Sequence, residues 1–322
     1  MNRPVLTSLA AAVLLAALAA GCGPRQPVLH IYTWSDYIKP DLVRRFQQEN
    51  NCRVVIDTYD SNEAMYAKLK AGATGYDVLF PSSYMVKIMK SQGMIQNLNH
   101  EWLPNLRHLD PDYLEMAVDK HLEHSVPYTA TITCLGYLGS RVENVEPSWN
   151  MLNREDLKGR MTMLDDYRET IGAALKFLGY SLNTLDDAEL AEAKEVLLGW
   201  KRNLAKFENE QYKTGLASGE FLFVHGYSGD LMQVQEENDD IEIVVPREGS
   251  ALSFDDMVIP SSAREVELAH RFINFILEPE VAAELTEFIY YLCPNRPSYE
   301  LLPVEIREDP ILFPPPDVVE KL

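Results

Sequence analysis

Short apolar segments alternate with amphipathic ones in the first third of the chain. The predicted strands are 28–33, 53–59 and 78–80. Pro40 and Ser61 begin predicted helices between them, because proline favours the first helical turn and serine caps it. This order of elements predicts a parallel sheet with helices on both faces. Ligands bind at the carboxyl ends of the strands in such sheets, which here are followed by the loops 34–37, 60–62 and 82–84.

A second α/β region begins near Thr131. Its predicted strands are 161–164, 221–225 and 241–246. Helices are predicted over 170–178, 188–205 and 266–277, and residues 313–316 are predicted to be extended. Pro279 is expected to end the last of these helices. The alternation of strands and helices favours two α/β lobes with a cleft between them.

The chain begins with a segment of different character. A positive charge precedes an apolar or small run over residues 5–20, and small residues then lead to Cys22. This pattern is typical of a secretory signal peptide, predicted as residues 1–21. Gly21 predicts in addition that Cys22 carries a lipid, with residues 22–27 as a tether. The run is shorter than the roughly 20 residues of a transmembrane anchor. A cleaved soluble form is the other alternative.

Acidic residues outnumber basic ones. The chain has 49 Asp and Glu against 29 Lys and Arg, a net charge of −20, which becomes −21 without residues 1–21 because these contain only Arg3. Such an excess disfavours nucleic acid as a partner and attracts cations. Cysteine is less informative, since Cys52, Cys134 and Cys293 are far apart and permit one disulfide or none.

No motif of a common enzyme class is present. The nearest match to a Gly-x-Ser-x-Gly elbow is 226–230, which has Asp at its last position, and glycine motifs for phosphates or dinucleotides are missing. Neither His-Glu-x-x-His nor Cys-x-x-Cys occurs. We therefore expect no catalytic residue, no metal site and no cofactor. An exported hydrolase that uses Asp166 and Glu169 is the enzymatic alternative.

Acidic and aromatic residues follow the predicted strands. They lie in segments 34–37, 82–84, 165–169, 227–230 and 254–256. Carboxylates pair with ammonium groups, and aromatic faces attract cations by about 0.5–2 kcal/mol per contact. Each cluster alone is also compatible with a helix cap or a turn. Their shared position at strand ends predicts a site for a flexible organic cation such as a polyamine.

Six segments form an ordered set along the chain: YTWSDYI at 32–38, YDVLFPS at 76–82, VPY at 126–128, LDDYRE at 164–169, PREG at 246–249 and INFILEP at 273–279. In these segments the chain resembles the periplasmic spermidine/putrescine-binding proteins of polyamine ABC importers. The resemblance implies a two-lobed α/β fold of the periplasmic binding protein type. Each lobe would be a mainly parallel sheet flanked by helices, joined by a hinge of crossover segments. The implied lobes are 28–129 with 251–297, and 130–250 with 298–322.

The resemblance also implies which residues bind the polyamine, putrescine or spermidine. Trp34 and Tyr37 correspond to aromatic walls, and Asp255 corresponds to the central carboxylate. The full implied set is Trp34, Ser35, Asp36, Tyr37, Ser82, Tyr84, Asp166, Glu169, Tyr227, Asp230, Asp255 and Tyr291. The protein would be a monomeric, non-enzymatic receptor that delivers its ligand to the permease subunits of an ABC importer. It would be held by Cys22 in the periplasm or outside the cytoplasmic membrane.

The sequence departs from the family at three places. Ser253 stands where the family has Trp or Phe, Tyr227 stands for Trp, and the sequence ends at Leu322, before the family's last helix. These departures leave the choice of polyamine open. A receptor of the same fold for another solute, such as an opine, thiamine or chelated iron, and a sensor without transport are the alternatives.

Overall fold

The chain folds into a mixed sheet with helices packed against it. The computed structural model describes residues 26–322, so the predicted signal peptide and Cys22 lie outside the described residues. Within 26–322 the strands are β1 Val28–Thr33, β2 Arg53–Thr58, β3 Val78–Leu79, β4 Ser125–Leu138, β5 Met161–Met163, β6 Leu204–Phe207, β7 Phe223–Tyr227, β8 Ile241–Val244 and β9 Leu252–Val258.

The helices of the structure include the five that the sequence predicts, in the predicted order. The helices are α1 Pro40–Asn50, α2 Asn62–Lys70, α3 Ser83–Ser91, α4 Pro111–Met116, α5 Tyr167–Leu178, α6 Asp187–Trp200, α7 Gln211–Ser218, α8 Ser228–Gln235, α9 Val266–Ile276, α10 Pro279–Ile289, α11 Val304–Arg307 and α12 Pro316–Val319. Short 3₁₀ helices are His100–Trp102, Pro104–His108, Trp149–Asn153, Glu155–Leu157 and Arg296–Leu301. The predicted caps are confirmed: Pro40 begins α1, and Oγ of Ser61 accepts from the amide of Ala64 at 3.2 Å.

The strand order is β2-β1-β3-β9-β4-β7-β5-β6, with β8 also paired to β4. β1 pairs in parallel with β2 and β3, and β5 pairs in parallel with β6 and β7. The predicted parallel β-α-β-α-β unit is therefore confirmed. The long strands β4 and β9 pair antiparallel with each other, and β3 and β7 pair antiparallel with β9 and β4 respectively. The sheet as a whole is mixed, and the α/β fold class is confirmed.

Strand β4 connects the two halves of the sheet. Its residues 125–132 pair with β9, whereas residues 133–137 pair with β7. Thr129 lies opposite Asp255 and Thr133 lies opposite Tyr227. At about 3.3 Å per residue, these two positions are about 13 Å apart along the strand. The register thus places side chains from distant parts of the sequence along one strand.

Separate apolar cores support the two halves of the sheet. Next to β1 and α1, the rings of Phe46 and Phe272 pack edge to face with centroids 5.1 Å apart. Next to β5 and α6, the ring of Phe177 packs against the buried Trp200, at 5.5 Å between centroids. Burial of such side chains is the main favourable term of folding, and it holds the strand ends in fixed positions.

Four local predictions are corrected by the structure. Residues 254–256 were expected to follow a strand, but they lie inside β9. The helix predicted over 188–205 ends at Trp200, because the following residues form β6 and pair in parallel with β5. Pro279 does not only end α9; it begins α10, at a position where a missing N–H costs nothing. The segment predicted as extended over 313–316 ends in the first residue of α12.

The three cysteines after Cys22 are all buried and form no disulfide in the structure: they are Cys52, Cys134 and Cys293. Among residues 26–322, no helix combines the length and the apolar character needed to cross a membrane.

Candidate ligand-binding site

A cavity of about 490 Å³ opens at the carboxyl ends of the parallel strands. Its lining comes from the loops after β1, β2, β3, β5, β6 and β7, together with the middle of β9. The strand ends of both halves of the sheet therefore meet at this cavity. Its volume lies within the range of small-molecule sites, about 300–1,000 Å³.

Eleven of the twelve site residues predicted from the sequence line the cavity. They are Trp34, Ser35, Tyr37, Ser82, Tyr84, Asp166, Glu169, Tyr227, Asp230, Asp255 and Tyr291. Asp36 is outside the lining: its side chain is exposed, and its backbone adopts a left-handed conformation with φ of 53°. The structure brings the predicted residues together, and their binding roles stay predictions.

The carboxylate of Asp255 is buried at the centre of the lining. Its Oδ2 accepts from the hydroxyl of Tyr37 at 2.6 Å, and its Oδ1 accepts from the hydroxyl of Ser82 at 2.6 Å. Asn62 orients Ser82, donating from Nδ2 to the serine Oγ at 3.0 Å. Burial raises the pKa of Asp255 to about 6, although both hydroxyl groups lower it. Among the described residues, no basic side chain forms a salt bridge with this carboxylate.

An acidic pair lies at the start of α5. Asp166 is the N-cap residue, and its Oδ1 accepts from the amides of Arg168 and Glu169 at 2.8 and 3.2 Å. Glu169 is buried and accepts from Ser253 at 3.0 Å and from Thr133 at 3.2 Å. Burial, and then the charge of Asp166, raises the pKa of Glu169 to about 7. Asp166 therefore serves as a helix cap and also presents negative charge to the cavity.

A further carboxylate, Asp230, lies in the first turn of α8 and already has partners within the protein. Its Oδ2 accepts from the hydroxyl of Tyr212 at 2.6 Å, and its Oδ1 accepts from the hydroxyl of Tyr291 at 2.9 Å. Nζ of Lys213 lies 3.6 Å from Oδ2. Asp230 thus differs from Asp255, because a cation of the protein itself stands beside it.

Aromatic side chains form the walls of the cavity. Nε1 of Trp34 donates to the carbonyl of Phe80 at 2.9 Å, and the indole packs edge to face against Tyr59 at 4.5 Å between centroids. Tyr37 is almost completely buried, and its ring packs edge to face against Tyr291 at 5.9 Å. Each ring is held in place by a hydrogen bond or by a neighbouring ring.

Contacts across the cavity join α2 and α3 to the start of α5. Oε1 of Glu63 accepts from the hydroxyl of Tyr84 at 2.9 Å and from that of Tyr167 at 3.2 Å. The guanidinium of Arg168 stands 4.1 Å from the ring centroid of Tyr84. These exposed contacts link the two halves of the sheet at the edge of the cavity.

Residues 41–314 match the family of bacterial extracellular solute-binding proteins. This chain belongs to that family. It is 32% identical over 342 residues to the putrescine-binding periplasmic protein PotF of Escherichia coli strain K12, with 100% of this chain and 92% of the relative covered. It is 34% identical over 314 residues to the spermidine/putrescine-binding periplasmic protein of the same organism, with 97% and 90% covered.

Solved structures share the fold of this solute-binding protein. A putative spermidine/putrescine ABC transporter from Listeria monocytogenes has a TM-score of 0.87 at 36% identity, with 92% of each chain covered. The TpPotD lipoprotein of Treponema pallidum has a TM-score of 0.80 at 35% identity, with 85% of this chain and 88% of that chain covered. The two-lobed periplasmic binding protein fold is therefore confirmed, and the family is one of transport proteins rather than enzymes.

The cavity of this solute-binding protein also has polar lining residues that were not predicted as site residues, among them Glu63, Asn209, Glu210 and Lys213. Glu63, Glu210 and Lys213 are charged residues on or next to helices, where the sequence pattern indicates only a solvated face. Oδ1 of Asn209 is buried and has no hydrogen-bond partner among the described residues. No group of three or more metal-binding side chains within residues 26–322 is arranged to hold a metal ion.

Proposed function

We propose that this solute-binding protein captures a polyamine in the cavity between its two lobes and delivers it to the permease of an ABC importer. The observation that carries the proposal is Asp255. Burial makes the charged form of a carboxylate that receives only neutral hydroxyl donors less stable, and it raises the pKa of Asp255. An ammonium group bound beside it supplies the missing positive charge.

A second ammonium group binds at the acidic pair formed by Asp166 and Glu169. Ser253 and Asp255 are two residues apart on β9, so their side chains share one face of the strand. Because Ser253 also contacts Glu169, the two acidic sites are close enough for the two ends of one short ligand to reach both. The methylene chain between the ammonium groups packs on Trp34 and Tyr227. Relatives whose names specify putrescine and spermidine support this ligand class.

The cellular setting is part of the proposal. The receptor works outside the cytoplasm, anchored by a lipid on Cys22, as the Gly21-Cys22 sequence and the related lipoprotein of Treponema pallidum suggest. It acts as a monomer, with lobes of residues 28–129 and 251–297, and of residues 130–250 and 298–322. The crossings of the chain through β4 and β9 form the hinge of this arrangement.

Calorimetry on protein refolded free of ligand tests the proposed function. Putrescine, cadaverine, spermidine and agmatine are titrated, with N-acetylputrescine as the matched control because it lacks one ammonium group. We expect saturable binding of at least one diamine or triamine and much weaker binding of the acetylated compound. Absence of binding heat and of thermal stabilisation with all four cations would contradict the proposal. Binding of N-acetylputrescine as tightly as putrescine would contradict the two-ammonium geometry.

A further inference from the structure

The lysine that stands beside Asp230 belongs to the wall of the cavity. Lys213 is in the first turn of α7, and its side chain is only 18% exposed. Its Nζ lies 3.6 Å from Oδ2 of Asp230 and 3.5 Å from Oε2 of Glu210. The ammonium group is therefore placed in the cavity wall among carboxylates, where an ammonium group of a ligand would otherwise be attracted.

The surroundings of Lys213 keep it charged. Burial lowers the pKa of Lys213, but the carboxylates of Asp230, Glu210 and Asp36 raise it by more, and the net shift is upward. The other two basic residues of the lining, Lys87 and Arg168, are exposed. Among the cavity's basic side chains, Lys213 is the one that pairs with a carboxylate predicted to bind the ligand.

The acidic sites of the cavity are thereby unequal. The side chains of Asp255 and Glu169 receive hydrogen bonds from neutral hydroxyl groups only. An ammonium group of the ligand would therefore stabilise the charged form of each carboxylate. Asp230 has two tyrosine donors and a lysine. A ligand ammonium group next to Asp230 would meet the charge of Lys213, and like charges at short range in a partly desolvated site repel strongly.

We propose that Lys213 is a specificity-determining residue, whose tethered ammonium group excludes a third ligand charge and so selects diamines over triamines. This inference rests on the proposed function. It also changes the predicted role of Asp230, from a partner of the ligand to the partner that holds Lys213. The two ammonium groups of a diamine take Asp255 and the acidic pair Asp166 and Glu169, and the Asp230 end of the cavity receives no further cation.

A matched pair of ligands separates charge from length. Spermidine and N-propylputrescine differ by one heavy atom, because N-propylputrescine ends in a methyl group at the carbon to which the third ammonium group of spermidine is attached. We expect the affinity of the parent protein for N-propylputrescine to be at least about tenfold higher than its affinity for spermidine. The repulsion of one charge outweighs a small difference in apolar contact. Equal or tighter binding of spermidine by the parent would overturn the inference.

Variants test the residue itself. Lys213→Met approximately keeps the length of the side chain but removes its charge. In this variant the affinity for spermidine should rise by about tenfold or more relative to the affinity for N-propylputrescine. The double variant Lys213→Met with Asp230→Asn should lose that gain, because the third ammonium group then has no carboxylate. As a control, Lys194→Met removes an exposed positive charge on α6. It should leave the ratio of the affinities for the two ligands unchanged.

The outcomes distinguish this inference from the proposed function. An unchanged ratio in Lys213→Met, with diamines still bound, would overturn the role of Lys213 and leave the polyamine receptor standing. A parent protein that binds none of these amines would overturn both. Far-ultraviolet circular dichroism and melting curves of each variant establish that it is folded. Asp230 retains its two tyrosine donors in Lys213→Met, so the local structure has support.

Discussion

The hydroxyl of Ser253 donates a hydrogen bond of 3.0 Å to Oε1 of Glu169, across the cavity from β9 to α5. The resemblance to polyamine-binding proteins implies Trp or Phe at this position. The serine is therefore not simply a missing wall: it supports a buried carboxylate and leaves space in the cavity beside Asp255.

Replacement of this serine should alter selectivity more than folding. In Ser253→Trp the ring fills free volume and removes a donor to Glu169, so ligands with longer methylene chains should lose affinity relative to putrescine. Ser253→Ala removes the donor alone and should cost about 1 kcal/mol in binding. Calorimetry with putrescine and cadaverine measures both effects. Equal losses for the two diamines in Ser253→Trp would show that the space beside Ser253 is not used by the ligand.

Asp255→Asn should weaken polyamine binding by about 30-fold or more, since removing one partner of a buried charge pair costs about 2–5 kcal/mol. Tyr37→Phe keeps the ring but removes a donor that Asp255 receives at 2.6 Å. The loss of binding free energy in Tyr37→Phe should be smaller, about 1 kcal/mol. Titration of both variants with the preferred polyamine gives the comparison. If Asp255→Asn binds like the parent, Asp255 is not the ammonium site.

Binding should release protons near pH 6. The pKa of Asp255 is raised to about 6 and that of Glu169 to about 7, mainly by burial. A ligand cation favours the charged carboxylates and lowers both pKa values, so affinity falls as the pH decreases through these values. For Asp255 alone the loss between pH 8 and pH 5 is about tenfold.

Calorimetry at pH 6 in buffers of different ionisation enthalpy measures the released protons. Asp255→Asn and Glu169→Gln should each reduce the number released, and little release is expected at pH 8. If the parent protein took up protons on binding at pH 6, or released none, the assignment of these carboxylates would be contradicted.

Without ligand, the same carboxylates should lower stability at alkaline pH. Their folded pKa values lie above the ordinary ones, so the folded state binds more protons than the unfolded state. Their contribution to stability is present below pH 4 and is lost as the pH rises to about 7. Glu169→Gln should therefore raise the melting temperature of the unliganded protein at pH 8 by a few degrees, and have little effect at pH 4.

The matched control for this measurement is Glu195→Gln, which removes an exposed carboxylate on α6. It should leave the melting temperature within about a degree of the parent at both values of pH. A lower melting temperature of Glu169→Gln at pH 8 would indicate that the charged carboxylate stabilises the fold rather than destabilising it.

Cys22→Ala should release the receptor from membranes. The Gly21-Cys22 sequence predicts that lipid is attached to this sulfur, and one or more acyl chains provide the membrane affinity. Incorporation of a labelled fatty acid and fractionation of cells compare the variant with the parent, with Cys52→Ala as the matched control. Labelling that persists in Cys22→Ala would contradict the anchor.

Much of the local structure could be predicted from the sequence. Strand β1 is predicted to the residue, and the caps at Pro40 and Ser61 are where the pattern indicates, because both depend on neighbours only a few residues apart. The region 188–205 was less predictable. Apolar residues continue at helical spacing past Trp200, and only the pairing of β6 with β5 shows where the helix must end.

The site was predictable as a set of loops and not as a set of contacts. Tyr37 and Asp255 are separated by 218 residues, and their hydrogen bond exists because β9 enters the sheet between β3 and β4. Asp36 belongs to the same sequence cluster as Tyr37, yet a left-handed backbone leaves it exposed. Residues adjacent in sequence thus point in different directions.

The sequence by itself determined the first β-α-β-α-β unit, four of the five segments that carry the site, and the acidic and aromatic character of the site, since all three follow from local patterns. Only the tertiary structure decided which carboxylates have partners. Asp255 and Asp230 have the same chemistry in the sequence, but the packing of α7 against α8 places Lys213 beside one of them. Charge pairing depends on distances of a few ångströms between distant segments, and that information resides in the packing of the chain.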